Sequence, residues 1–148
     1  MAEGSCATSM TARVLVGAVA CAIAGSTAVT VAQLGPRDYP QWRGRSGDGA
    51  ASAFETPASW PDTLTRRWRV EVGDGYATPL VIGETVYTFT RRGGDEVVAA
   101  LDASTGKERW HSNYLAPYTP SQAAARHGSG AKATPLFHEG KLFTLPWS

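Results

Sequence analysis

Residues that carry metal, redox and nucleophilic chemistry are scarce in this sequence. Among its 148 residues there are two cysteines and three histidines. Because Cys6 and Cys21 both precede residue 32, we expect no disulfide, thiolate metal site or cysteine nucleophile in the rest of the chain. The histidines, His111, His127 and His138, show no metal-ligand spacing such as H-x-x-x-H. The sequence therefore predicts neither a metal site nor a catalytic residue.

Motifs for nucleotide binding and acyl transfer are missing as well. Gly128 to Gly130 lacks the Lys-Ser/Thr ending of a phosphate loop and follows no predicted strand. No serine lies in the G-x-S-x-G context of a nucleophile elbow. The formal net charge of +1 gives no electrostatic case for nucleic acid. With 43% hydrophobic and 18% charged residues, the composition is that of one ordinary globular domain.

The one long, nearly uncharged run lies near the start of the chain. Residues 14–31 are rich in alanine and valine, which is typical of a secretory signal peptide. A true start at Met10 fits this interpretation better, because the residues before it include an acidic one and no basic one. Cleavage after Ala28 or Ala32 would make residues 1–32 the signal peptide of a periplasmic or secreted protein. The alternative is an uncleaved membrane anchor, since the run approaches the ~20 residues that span a bilayer.

Residues 33–66 form a leader rich in proline and glycine, in which neither a helical nor a strand period persists. Its isolated large residues are Trp42 and Trp60. A leader that packs over a larger domain needs aromatic anchors, so we expect both indoles to be packed in this way. The alternative is a ligand site that includes Trp42 and Arg43.

Short strands are predicted after the leader. Residues 67–72 alternate strictly and place Trp68, Val70 and Val72 on one face, which predicts a half-buried strand. Further strands are predicted where apolar runs are separated by glycine turns, at residues 76–82, 85–90, 96–101 and 107–114. Arg91 and Arg92 are interpreted as solvated cations at a strand end.

An internal repeat links two parts of this region. Ala77-Thr78-Pro79-Leu80 recurs as Ala133-Thr134-Pro135-Leu136, and residues 86–89 recur as residues 142–145 at the same offset. The two copies predict the same pair of strands. Between them, residues 115–130 form a long connection of a length that is often functional.

Residues 100–110, A-L-D-A-S-T-G-K-E-R-W, predict a strand end, a tight turn and a new strand. Asp102 can accept hydrogen bonds from the N–H groups two and three residues ahead, and Thr105 offers a second side-chain acceptor. Gly106 supplies a positive φ. Alternation after the turn places Trp110 opposite to Lys107 and Arg109.

The pattern A-x-D-x-x-T-G-K-x-x-W resembles the tryptophan docking motif of the PQQ-like (quinoprotein-type) β-propeller repeat family, which includes the BamB-like assembly factors. An ordinary hairpin that carries a tryptophan by chance is the alternative. The resemblance implies that Trp110 packs against an adjacent blade. The residues to which it assigns the motif are Ala100, Asp102, Thr105, Gly106, Lys107 and Trp110.

Two further strings resemble the same family. Residues 38–44, followed by Gly47-Asp48-Gly49, are similar to its W-P-Q-W-R-G leader, with Tyr39 in place of the first tryptophan. The end of the long connection is similar to the pattern H-G-x-G-x-K-x-T-P at the entry to a second blade. This similarity makes a candidate loop site of His127, Gly128, Gly130 and Lys132.

The resemblance implies an all-β fold, a propeller of four-stranded antiparallel blades. Residues 67–148 hold about one and a half of these blades, so we expect the chain to be truncated and to need downstream blades for closure. Residues 33–148 alone are then expected to be aggregated or only partly folded, because repeat units rely on their neighbours.

The implied function is that of an exported, non-catalytic scaffold without a cofactor, whose loops present a surface to a protein partner or a small ligand, as in outer-membrane assembly. The alternative is a fragment of a PQQ-dependent alcohol or sugar dehydrogenase, with pyrroloquinoline quinone and calcium at the propeller axis. Neither a vicinal cysteine pair nor a carboxylate in a recognisable ligand motif supports that alternative.

Overall fold

A computed structural model of the chain describes residues 33–51, 53–119, 122 and 125–146. The predicted signal peptide, residues 1–32, lies outside the described residues. Those described form two antiparallel sheets, with one short 3-10 helix at Ala125–His127 between them. The all-β prediction is therefore confirmed. In the described part of the chain no sheet closes on itself.

The first sheet is a meander of four antiparallel strands in chain order. They are β1 (Leu80–Ile82), β2 (Thr85–Arg92), β3 (Asp95–Asp102) and β4 (Glu108–Leu115). β2 and β3 are rich in valine, threonine and aromatic or small apolar residues, which suit a pleated surface that is covered on both faces. Two-residue turns connect the first three strands, and each begins with a glycine at positive φ, Gly83 at 54° and Gly93 at 62°.

The second sheet repeats the first hairpin. Its strands, β5 (Leu136–His138) and β6 (Lys141–Phe143), are joined by a two-residue turn in which both Glu139 and Gly140 have positive φ. Leu80 pairs with Tyr87, and Leu136 pairs with Phe143, which are the equivalent positions of the repeat. The predicted equivalence of the two strand pairs is thus confirmed down to the register.

The two copies also contact each other. The amide N–H of Thr78 donates to the hydroxyl of Thr134, the equivalent residue of the second copy 56 positions away, at 3.0 Å. Phe137 of β5 stacks on Tyr87 of β2, with ring centroids 6.0 Å apart and planes 23° apart. The second hairpin therefore contacts the first sheet on the face that carries Tyr87.

Residues 67–72 do not form the strand that their alternation predicts. The segment crosses the opposite face of the first sheet, where the Val72 carbonyl accepts from the side chains of Thr90 and Arg92. Its backbone joins the sheet only just beyond, through the bridge between Asp74 and Arg91. On the face that alternation predicts to be half-buried, Trp68 and Val72 are partly buried but Val70 is 39% exposed.

The strand predicted at residues 76–82 begins only at Leu80. Before that point the chain pairs with the second half of the molecule, because Tyr76 N–H donates to the carbonyl of Ala131 at 2.7 Å. β1 is consequently shorter than the apolar run that contains it.

The leader attaches through its backbone rather than through its tryptophans. Tyr39 exchanges two hydrogen bonds with Val81 of β1, and the Pro40 carbonyl accepts from Phe137 N–H at 2.8 Å. Trp42 and Trp60 remain 63% and 60% exposed, so the described residues pack neither indole, and packing of the two over a larger domain stays a prediction. Tyr39, not a tryptophan, is the aromatic that meets the sheet.

Candidate functional site

The turn between β3 and β4 is organised by one carboxylate. Asp102 Oδ1 accepts from the N–H groups of Ser104 and Thr105 at 3.0 and 2.9 Å and from both of their hydroxyls. Thr105 Oγ1 in turn accepts from Lys107 N–H, and Gly106 has a φ of 72°. The turn therefore has the local geometry that its sequence predicts.

The second oxygen of Asp102 pairs with a cation. Arg109 Nη2 lies 2.6 Å from Asp102 Oδ2, and Arg109 Nη1 donates to Thr85. Hydrogen bonds from Ser104, Arg109 and Thr105 hold the pKa of the Asp102 carboxyl well below its usual range. Asp102 is therefore an ionised structural anchor, because a carboxylate that accepts so many hydrogen bonds makes a poor general base.

The side chain of Trp68 packs against this turn. Its Nε1–H donates to the carbonyl of Ala103 at 2.9 Å. The indole ring covers Gly106 so closely that a Cβ on that residue would lie 2.7 Å from the ring. Gly106 is thus required twice, for its positive φ and for its lack of a side chain. The sequence singled out Trp68 only as one residue of an alternating strand, because nothing local to it identifies its partner.

Trp110 does not pack against an equivalent turn among the described residues. Its ring lies against Tyr87 at 6.0 Å with a tilt of 52°, and 45% of the residue is exposed. Ala100, directly opposite Trp110 in the neighbouring strand, is buried, whereas Lys107 is exposed. Trp110 is thus a half-exposed indole, whereas Trp68 is hydrogen-bonded to its turn.

A bulge changes the facing predicted for the residues after the turn. Leu101 pairs with Glu108 and Ala100 with Trp110, so Arg109 is the extra residue of β4. Glu108 contacts Arg92 and His111, whereas Trp110 contacts Tyr87. Strict alternation after the turn predicts Glu108 and Trp110 on one face, and the bulge makes that prediction wrong.

The candidate loop site is only partly assembled. Gly128 and Gly130 line a crevice of about 460 Å³, together with Ser129 and residues 73–76. Lys132 lies beside it, with its Nζ 6.0 Å from the ring centroid of Tyr76. His127 ends the 3-10 helix and does not line the crevice. The structure adds Asp74 and Tyr76, which the sequence pattern did not indicate because they belong to a distant segment.

Both walls of the crevice are tied to Arg91. The backbone of Arg91 exchanges two hydrogen bonds with Asp74, at 2.7 and 2.9 Å, and its Nε donates to the Ser129 carbonyl at 2.7 Å. Gly130 permits the close approach of the walls, because a Cβ there would lie 2.5 Å from Gly75 N. One buried residue, Arg91, thus joins the two walls of the crevice.

Arg91 is buried, contrary to the prediction of a solvated strand end. Its Nη1 donates to the Ala116 carbonyl at 2.7 Å, and its Nη2 lies 3.8 Å from Oε1 of the fully buried Glu96. Tyr114 donates to Glu96 Oε2, and burial raises the pKa of the Tyr114 phenol, as does this hydrogen bond. The sequence held a usable signal, since the Gly93-Gly94 turn places Arg91 opposite Glu96.

A larger cavity of about 560 Å³ lies within the leader. Its lining includes Arg37, Tyr39, Arg45 and Phe54, but neither Trp42 nor Arg43, the pair that the sequence offered as an alternative ligand site. Arg43 instead lies over the Trp42 ring at 5.5 Å.

No family model, curated protein or solved structure matches the chain. The family resemblance therefore rests on the sequence strings alone. Within the described residues there is no group of three or more histidine, cysteine, aspartate or glutamate side chains that could hold a metal ion. Nor does that part of the chain contain a helix long and apolar enough to cross a membrane.

Proposed function

We propose that this chain is an exported, non-catalytic repeat protein of the PQQ-like β-propeller type, and that it acts as a binding or assembly scaffold. One observation carries the proposal. The four-stranded sheet contacts a second copy of its own first hairpin on the face that carries Tyr87, and on its other face it contacts a segment that bears a tryptophan. Sheets stacked face to face by repeated units are the arrangement from which propellers are built.

The contact between Trp68 and the turn suggests how successive units could be joined. Trp68 enters the turn at Ala103 and Gly106 from a preceding segment. Trp110 stands at the end of the same motif with an exposed indole. We propose that Trp110 docks on the corresponding turn of a following unit, so that successive units are joined by the same contact.

A double-mutant cycle tests the stacking of units. Replacing Tyr87 and Phe137 by leucine, singly and together, should show a coupling of about 0.5 to 1.5 kcal/mol in the free energy of unfolding, as for other aromatic pairs. The matched control combines Phe137→Leu with Phe54→Leu in the leader, and these two changes should add. Additive effects for Tyr87 and Phe137 would contradict face-to-face packing of the repeats.

Export is tested separately with residues 10–33 fused to a reporter that is active only in the periplasm. The expected result is reporter activity with a shortened, processed product. The control carries Val19→Arg, which places a charge in the apolar run and should abolish export. A full-length product that remains in the cytoplasm would contradict the proposal.

A further inference from the structure

The crevice between residues 73–76 and 128–130 offers hydrogen-bonding groups that the fold does not use. Among the described residues, no partner is bonded to the Asp74 carboxylate or the Ser129 hydroxyl. The amide N–H groups of Gly73, Ser129 and Gly130 likewise donate to no other described residue. The walls thus provide both donors and acceptors, and Asp74 and Ser129 are held through their backbones alone.

The two walls of the crevice are held together by one buried residue. Arg91 is buried and binds one wall through its backbone and the other through its guanidinium. A ligand that enters the crevice therefore meets a backbone that is already in position, which lowers the entropy cost of binding to its amide groups. The volume of about 460 Å³ falls within the range of ligand pockets.

We propose that this crevice binds a small uncharged polyhydroxyl molecule, of the size and chemistry of a monosaccharide. Hydroxyl groups donate and accept, so they match walls that offer amide donors beside a carboxylate and a hydroxyl. Tyr76 is 67% exposed and gives the mouth an aromatic surface against which the C–H face of a sugar ring packs. The Asp74 carboxylate and the Lys132 ammonium beside the mouth offset each other, so the crevice favours neither an anion nor a cation, and its glycine-rich walls offer little apolar surface for a hydrophobic ligand.

This inference deepens the proposed function, on which it rests, by naming the class of ligand that the scaffold binds. It concerns only the crevice and does not depend on the stacking of further units. Tyr87–Phe137 coupling and export are measured without any ligand, so a failure of the proposed function and a failure of this site give different results.

Saturation-transfer NMR on the full chain tests the site, because the method works on monomers and on larger assemblies. Glucose, mannose and inositol are the probes, and inorganic phosphate is the competitor. We expect saturation transfer to at least one polyol and no displacement by phosphate. Absence of transfer to all three polyols, or displacement by phosphate at constant ionic strength, would overturn the proposal.

Two variants localise the binding. Asp74→Ala and Tyr76→Ala keep the backbone hydrogen bonds of both residues, and each should weaken binding by about tenfold, as expected when one good contact is lost. Trp42→Ala is the matched control, because Trp42 is also an exposed aromatic with a cation over its ring. An equal loss in the Trp42 variant would mean that sugars stack on any exposed ring, and it would overturn the site. Circular dichroism spectra of all variants should match that of the parent chain.

Discussion

Two independent features of the structure require a glycine at position 106. A comparison with Gly83 distinguishes their effects, because only one of the two features is present there. At Gly106 and at Gly83 the backbone has positive φ, 72° and 54°, which costs an alanine about 1 to 2 kcal/mol. Only Gly106 has a neighbour in the way, since nothing lies within 4 Å of a Cβ built on Gly83. The difference between the two positions therefore measures the Trp68 contact.

We expect Gly106→Ala to lower the free energy of unfolding by about 2 to 4 kcal/mol, and Gly83→Ala by about 1 to 2 kcal/mol. Urea denaturation followed by tryptophan fluorescence and by circular dichroism measures both. Adding Trp68→Ala should remove the excess cost at Gly106, because the ring that blocks the new methyl group is then gone. If the two glycine variants lose the same stability, Trp68 does not sit on the turn.

Asp102 and Glu108 make the stability of the chain depend on pH at the acid end. Hydrogen bonds from Ser104 and Arg109 lower the pKa of Asp102, and those from His111 and Arg92 lower the pKa of Glu108. A lowered folded-state pKa means that the unfolded chain binds more protons in this range. The stabilisation is therefore complete above the unfolded values, about pH 4, and is lost as the pH falls towards the folded values.

Asp102→Asn should flatten this pH dependence. Asparagine keeps an oxygen that can accept from the turn N–H groups but has no charge to pair with Arg109. Below about pH 4 we expect the parent chain to lose stability more steeply than the variant. Melting temperatures between pH 2.5 and pH 7 provide the measurement. Asp62→Asn, at an exposed site with no hydrogen bond to a described residue, should follow the parent.

Local chemistry explains which elements the sequence could predict. The Asp102 turn and the hairpins around Gly83 and Gly93 depend on residues within a few positions of one another, and they form as predicted. The internal repeat also predicted the second hairpin, since β5 and β6 are too short to identify by periodicity alone. The strand prediction for residues 67–72 was wrong, because alternation indicates which side of a segment is apolar but not what lies against it.

The crevice lay beyond sequence prediction for the same reason. Its glycines were noticed in residues 128–130, whereas its other wall lies more than fifty positions earlier. Arg91, which joins the two walls, resembles any basic residue at the end of a strand. Only the fold brings Asp74, Ser129 and the guanidinium of Arg91 together.

Arg91 of β2 pairs with Glu96 of β3 and also bonds to the long connection, so loss of this pair should destabilise all three elements. Arg91→Met leaves a buried carboxylate without its cation and should cost about 3 to 5 kcal/mol in the free energy of unfolding. Glu96→Gln in the same chain should restore part of that loss, because a neutral amide is easier to bury and can still bond to Tyr114.

Urea denaturation of the two single variants and the double variant checks this cycle. A coupling of about 1 to 3 kcal/mol is expected. The matched control is Arg92→Met with Glu108→Gln, an ion pair at the surface, where the coupling should stay below about 1 kcal/mol. Equal coupling in the two cycles would mean that Arg91 and Glu96 are no more buried than the surface pair.

At the scale of the whole molecule, β4 is the surface that the described residues leave open. It is the outer strand of the first sheet, and every residue in it is exposed. Its apolar side chains include Trp110, Tyr114 and Leu115, the last of which is 73% exposed. An exposed edge strand with apolar side chains is a template for pairing with another chain.

We therefore predict that residues 33–148 self-associate through β4, and that Leu115→Lys weakens the association, because a charge on an edge strand opposes pairing. Sedimentation velocity over a hundredfold range of concentration should show larger species in the parent chain and fewer in the variant. Leu64→Lys is the matched control: Leu64 is also 73% exposed, but it lies in the leader and outside any strand, so its replacement should leave the distribution unchanged. A parent chain that stays monomeric throughout, with a single cooperative melt, would show that β4 is protected and that this β domain is stable without neighbours. Equal weakening by both lysines would instead assign the association to general hydrophobicity rather than to the strand edge.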